Sequence, residues 1–126
     1  MYGGSISGNT ADQGGGVYNR GTFNMNGGTI TSNIAINGGG VYINKGTFNM
    51  YGGTITGNKA EQTNGTAYGG GVYINKGTFT MSGGEITKNT AIVGGGGVLN
   101  DSGQFTMSAG TTISENKAYG GGGVIE

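Results

Sequence analysis

Apolar and polar residues alternate along this chain in short runs that stop at glycine or asparagine. GTITGN (Gly53–Asn58), GGGVYIN (Gly69–Asn75) and GTFNM (Gly46–Met50) are typical. A period of two is the pattern of a half-buried strand, with one face turned inward and the other outward. No stretch repeats at the helical period, and glycine interrupts every window of helical length, so helix is not expected.

The runs recur. Met1, Met25, Met50, Met81 and Met107 open successive units covering 1–24, 25–49, 50–80, 81–106 and 107–126, the last of them incomplete. The third unit matches the second except for an insertion between Ala60 and Gly69. Self-similarity at a fixed period marks a repeat architecture. Three short strands per unit, joined by tight corners, make one turn of a three-sided parallel solenoid. The expected fold is therefore all-β: a single parallel β-helix domain over 1–126, with about five coils of about 25 residues and three short strands per coil. Neighbouring coils stand about 4.8 Å apart, so the prism should be about 20 to 25 Å tall. Met1 occupies a repeat position and the last unit stops at Glu126 in mid-repeat, which suggests a segment of a longer array.

In such a solenoid like lies on like. Alternation turns Met50, Ile55, Val72, Ile74 and Phe79 inward, and Tyr73, Thr54, Thr56, Thr78 and Thr80 outward. The interior columns are those of Ile6, Val17 and Phe23, continued in the later coils. Two asparagine ladders are also expected: Asn9, Asn33, Asn58, Asn89 and Asn116 after the isoleucine strand, and Asn19, Asn44, Asn75 and Asn100 after the valine strand. An amide carries both donor and acceptor, so stacked copies can bond one another, and asparagine tolerates left-handed corners. Both ladders are read as scaffold.

Composition supports this reading only because the glycines are periodic. The chain has 33 glycines in 126 residues, with one leucine, eleven isoleucines, six valines and four phenylalanines. That is a thin apolar content for a globular domain. A narrow solenoid needs few large side chains per coil, since stacking makes the core continuous. The glycines are assigned to corners that need positive φ.

The unit I-x-x-N-x-A followed by GGG-V, as in ITGNKA to GGGVY between Ile55 and Tyr73, resembles the F-x-x-N and GGA-I repeats of polymorphic outer membrane proteins and related adhesin-like bacterial surface proteins. The resemblance runs over essentially the whole chain. It implies a right-handed parallel β-helix of the pectin-lyase-like superfamily, in a protein exposed on the cell surface or secreted.

Chemistry is sparse. The absence of histidine and cysteine excludes Cys/His zinc sites, Ser-His-Asp and Cys-His nucleophiles, and disulfides. Six basic and six acidic residues balance, which argues against nucleic acid or anionic lipid as a partner. No apolar run is long enough for membrane insertion, and no export signal is visible. The carboxylates Asp12, Glu61, Glu85, Asp101, Glu115 and Glu126 scatter instead of converging, so no catalytic residue, metal site or cofactor is expected. The glycine stretches lack phosphate-binding spacing. The sequons at Asn64 and Asn100 are short matches and carry no weight.

Three surface features remain. Arg20, Lys45 and Lys76 fall at one corner in successive coils. Tyr18, Tyr42 and Tyr73 form an outward aromatic column that suits a sugar ring or a protein. Ser5 and Ser7, Thr29 and Thr31, Thr54 and Thr56, and Thr112 and Ser114 place paired hydroxyls on one face, interrupted by Glu85. The insertion from Glu61 to Tyr68 should project from a corner. The expected function is non-catalytic: a structural and binding segment of an extracellular or surface-anchored adhesin-like protein. Its expected partners are other coils of a parent chain, a second copy end to end, or a glycan or host surface protein. The alternatives are an ice-binding solenoid that uses the Thr/Ser face, and a self-stacking filament subunit.

Overall fold

A computed structural model describes residues 1–63 and 65–126. The described residues hold strands and corners and no helix. In chain order, the first coil carries β1 (Ser5–Ser7), β2 (Val17–Asn19) and β3 (Thr22–Met25). The second carries β4 (Thr29–Thr31), β5 (Ile34–Ala35), β6 (Val41–Asn44) and β7 (Thr47–Met50). The third carries β8 (Thr54–Thr56), β9 (Lys59–Ala60), β10 (Val72–Asn75) and β11 (Thr78–Met81). The fourth carries β12 (Glu85–Thr87), β13 (Thr90–Ala91), β14 (Val98–Asp101) and β15 (Gln104–Met107), and the fifth β16 (Thr112–Ser114) and β17 (Val124–Ile125).

Each strand pairs in parallel with its counterpart one coil away. The sheets run β1-β4-β8-β12-β16, β2-β6-β10-β14-β17, β3-β7-β11-β15 and β5-β9-β13. The chain is a parallel β-solenoid of about five coils. The fourth sheet was not expected. Its strands are two residues long, too short for an alternating pattern to show. They straighten the corner just after the first asparagine ladder.

Register confirms the interior columns. Ile6, Ile30, Ile55, Ile86 and Ile113 align through the first sheet, and Val17, Val41, Val72, Val98 and Val124 through the second. Phe23, Phe48, Phe79 and Phe105 align in the third. The residues turned inward in the middle coils are fully buried. Each apolar side chain packs on a copy of itself, so a small set of residue types fills the whole axis.

Glycine does more than turn corners. Only the first glycine of each triad, Gly14, Gly38, Gly69 and Gly95, has positive φ, between 63° and 70°. The second, such as Gly70, lies where a Cβ would strike the Thr90 carbonyl oxygen and would stand 2.6 Å from that of Gly96. The third meets the ladder of the next coil: a Cβ on Gly71 would lie 3.0 Å from Asn89 Nδ2, and one on Gly40 3.0 Å from Asn58 Nδ2. The triad is therefore a flat backbone strip pressed against the opposite corner. It separates the main core from a small cluster of Ala60, Ala67 and Ala91. That pinched space explains the alanine of the I-x-x-N-x-A unit, because a larger side chain has no room there.

The left-handed corners fall beside the ladder asparagines and not on them. One such column is Gly8, Ser32, Gly57, Lys88 and Glu115, and a second is Lys45, Lys76 and Ser102. The insertion leaves the coil at Glu61, which is exposed with Gln62 and Thr63, and re-enters at Ala67, which is buried.

Two glycine-to-alanine changes separate these roles. Gly70→Ala should cost more than about 3 kcal/mol, since backbone on both sides must move. Gly57→Ala, whose Cβ would meet only Thr31 Oγ1 at 3.6 Å, should cost only the left-handed strain of about 1–2 kcal/mol. Chemical denaturation of the two variants checks the ranking.

Candidate functional site

The solenoid's polar side chains fall into a buried row and several surface rows. The buried row is the first asparagine ladder. Asn33, Asn58 and Asn89 are 0 % exposed. In Asn58, Nδ2 donates to Asn89 Oδ1 in the next coil and to the Ile30 carbonyl in the previous one, each at 3.0 Å. Its Oδ1 accepts from the backbone N–H and from Nδ2 of Asn33, also at 3.0 Å. The same four bonds surround Asn33 and Asn89. Each amide thus ties three coils together, and the amide-to-amide bonds all donate toward the following coil, while the second Nδ2–H of each turns back to an isoleucine carbonyl. Among the described residues no buried side-chain nitrogen or oxygen lacks a partner.

The second ladder needs correction. The register sets Asn19 opposite Ile43 and Asn100 opposite Ile74, whereas Asn44 pairs with Asn75 and Asn75 with Asp101. Asn19 and Asn100 therefore turn inward at the two ends of an isoleucine column. Asn19 Nδ2 donates to the Thr47 carbonyl at 2.8 Å, and its Oδ1 accepts from Gly21 N–H. Asn100 closes its own corner in the same way with Gly103. Only Asn44 and Asn75 stack as a ladder, through a single bond of 3.4 Å. For Asn19 the cause is length, since coil one has one residue fewer between its valine and phenylalanine strands than coil two; coil four has the full length, and Asn100 stands at the isoleucine position with Asp101 at that of Asn75. Because coil one is shorter, Arg20 falls outside the left-handed column of Lys45 and Lys76.

Tyr18, Tyr42 and Tyr73 do form an outward column, with ring centroids 5.4 and 5.0 Å apart and planes within 3°. The rings lie face to face along the axis. Tyr42 is only 5 % exposed because its neighbours cover both faces. A sugar ring binds an aromatic face, and here both faces of Tyr42 are occupied by other tyrosines, while Tyr18, 45 % exposed, is stacked on one side only. The hydroxyls are tied to the following coil: Asn44 Nδ2 donates to Tyr18 Oη at 2.7 Å, and Tyr73 O–H donates to Asp101 Oδ2 at 3.0 Å. The column acts as a brace between coils. Sequence reading had not linked Asp101 to it; the equivalence of Asp101 with Asn75 was the available signal.

The hydroxyl face is in register as expected, with Ser5, Thr29, Thr54, Glu85 and Thr112 in one row and Ser7, Thr31, Thr56, Thr87 and Ser114 in the other. Within it, Thr87 Oγ1 donates to Thr56 Oγ1 at 3.2 Å. A shallow cleft of about 460 Å³ lies beside the insertion, lined by Ile34, Glu61, Gln62, Thr63 and Ile92. The carboxylates do not converge, and no group of three acidic residues that could hold a metal occurs among the described residues. Asn64 of the first sequon lies outside the described residues. Asn100 of the second is 8 % exposed and engaged in its corner. No family model, curated protein or solved structure matches the chain.

Removing one amide from the middle of the buried ladder strands donors in the coil on one side and an acceptor on the other. Asn58→Ala should therefore cost about 3 kcal/mol, against less than about 1 kcal/mol for Asn49→Ala in the exposed Asn24–Asn49 pair. Equal shifts in the melting curve would contradict this division.

Burial, helped by the bond to Asp101 and its charge, pushes the Tyr73 phenol up to about 12 from 10.0. An acid with a raised folded pKa stabilises the fold below its unfolded pKa, and that contribution is lost as pH climbs through the folded value. Stability should thus fall between about pH 10 and pH 12. Ultraviolet titration should show a late phenolate step that Tyr73→Phe abolishes and Asp101→Asn moves to lower pH.

Proposed function

We propose that the chain is a non-catalytic structural and binding segment of an extracellular or cell-surface protein of the adhesin-like kind, with the right-handed pectin-lyase-like winding that the repeat resemblance implies. The observation that carries this reading is the unbroken asparagine ladder with its glycine strip, a cross-link that passes from coil to coil along the full axis. A structure tied in this way resists bending and stretching, as a spacer that holds a partner-binding region away from a surface must. Its outer faces carry rows of hydroxyl and amide groups. A host protein or glycan would be met by those rows more than by the tyrosine column, in which the middle ring, Tyr42, is covered on both faces.

The paired hydroxyls also support an ice-binding reading. It ranks lower because Glu85 breaks one row and Thr56 and Thr87 bond each other.

Two measurements test the proposal together. Pulled from its termini in an optical trap, the chain should stay stiff and then yield in steps of about one coil, whereas gradual extension would sink the spacer role. An antibody raised against the chain should label intact cells that carry the gene. Labelling only after permeabilisation would overturn the location.

A further inference from the structure

Charged side chains stand on left-handed backbone at two corners of the prism, and the two corners treat them differently. At the corner after the first sheet, Lys88 (φ 57°) and Glu115 (φ 59°) fall in register in adjacent coils, so opposite charges lie one above the other. At the corner after the second sheet, Lys45 (φ 61°) and Lys76 (φ 59°) fall in register in the same way, and there the charges are alike. Both of these side chains are exposed. Each lysine carries the steric strain of left-handed backbone, and like charges set directly opposite in neighbouring strands repel. Asparagine would relieve both, and glycine fills the left-handed place of the first corner at Gly8 and Gly57. We propose that the corner formed by Arg20, Lys45 and Lys76 binds a linear sulfated polysaccharide laid along the solenoid axis.

Arg20 joins the two lysines although it stands outside their left-handed column. A Cβ on Gly46 would lie 3.1 Å from the Arg20 carbonyl carbon, so the backbone at Arg20 turns the same corner one coil away. The three cations therefore sit in successive coils, about 4.8 Å apart along the axis, and Ser102 ends the row in coil four. The carboxylates nearest by register are engaged elsewhere. Asp101 accepts from the Tyr73 and Ser102 hydroxyls, and Glu126 accepts from Asn100 Nδ2. The chain has no net charge, so attraction for an anionic polymer has to come from a local row such as this one.

The chemistry of the row selects among polyanions. Lysine presents a point charge with three rotatable donors, which suits the three terminal oxygens of a sulfate ester in any orientation. A carboxylate polymer is better met by the planar fork of arginine, and arginine supplies one of the three positions. Hydrogen-bonding groups flank the row on both sides. Asn44 and Asn75 directly precede the two lysines, Thr47 and Thr78 stand two residues after them, and all four are partly exposed. These amides and hydroxyls can bond the hydroxyls of a sugar chain. A nucleic acid would need aromatic faces on which its bases stack, and the neighbouring Tyr42 is covered on both sides.

The site gives a ligand class to the binding part of the proposed extracellular role and rests on that part, not on the spacer role. Surface plasmon resonance of the purified chain on immobilised heparin, across a salt series, tests it. The parent should bind at low salt and weaken steeply as screening rises. Lys45→Asn combined with Lys76→Asn should weaken binding about tenfold or more, and should raise the melting temperature because strain and repulsion are relieved together. Lys59→Gln combined with Lys117→Gln removes the same charge from the outward face of the fourth sheet and should leave heparin binding nearly unchanged. A parent that ignores heparin would overturn the proposal, and so would equal losses in the two double variants. Tighter binding to polygalacturonate or to an oligo-dT strand than to heparin would overturn it in favour of a carboxylate polymer or a nucleic acid. A Lys45→Asn, Lys76→Asn chain that melts below the parent would make the lysines part of the scaffold and also overturn it. Each of these results is read on the isolated chain, so a failure here is distinct from a failure of the cell-labelling or optical-trap measurements.

Discussion

Coils repeated at the strand spacing set each buried side chain against its counterpart in the next coil, so a polar group inside a column is best satisfied by a copy of itself. Among side chains an amide meets that demand unaided, because it holds donor and acceptor in one plane and can pass the bond on in both directions. The interior asparagines do so with four bonds each, and the rest of the cross-section is arranged around them. The amide needs space on the opposite wall, which the third glycine of the triad leaves open. The second glycine lets that wall approach the following corner until backbone touches backbone. Alanine is what then fits beyond the contact. The segments I-x-x-N-x-A and GGG-V, well apart in sequence, are two halves of one contact.

This coupling shows why part of the fold is legible in the sequence and part is not. Inward and outward positions follow from alternation, since a strand one residue out of step would turn its whole apolar face to water. Register across coils follows from the repeat itself. The glycine triads could be located but not explained, because a residue without a side chain gives no hint of what lies against it. The fourth sheet escaped for a different reason: two-residue strands such as Ile34–Ala35 contain no alternation. The second asparagine ladder breaks at its two ends for different reasons: at Asn100 the residue types are shifted by one, with Asp101 in the place of Asn75, and at Asn19 the spacing changes. Counting from Val17 to Phe23 and from Val41 to Phe48 reveals the missing residue that turns Asn19 inward.

The candidate surface was visible as columns, but columns do not disclose what they bind. Tyrosines next after the interior valine look like an aromatic platform in one dimension. Stacked at the coil spacing, their faces are turned along the axis, and the middle ring, Tyr42, is covered on both sides so that only its edge and hydroxyl are left outward. The hydroxyls of Tyr18 and Tyr73 are held by Asn44 and Asp101. The same spacing that makes the column also takes it out of use as a stacking site, and it becomes part of what holds successive coils in step.

A solenoid of matched coils also restricts where any selective contact can be placed. Each coil touches only its neighbours, so a substitution on an outer column disturbs little, and a row of like residues offers a partner many equivalent positions along the axis. Fixing a partner at one position requires a departure from the repeat. Among the described residues the departures lie on different faces and include Glu85 in the hydroxyl row, Asp101 bonded to Tyr73, the missing residue after Asn19, the extra residue between Ala91 and Val98, the loop that leaves at Glu61 and returns at Ala67, and the extra residue before Thr112, where Thr111 Oγ1 bonds the Ser108 carbonyl. None alters the asparagine ladder or the glycine strip. The axis carries the mechanical role, and any choice of partner has to be written in those exceptions.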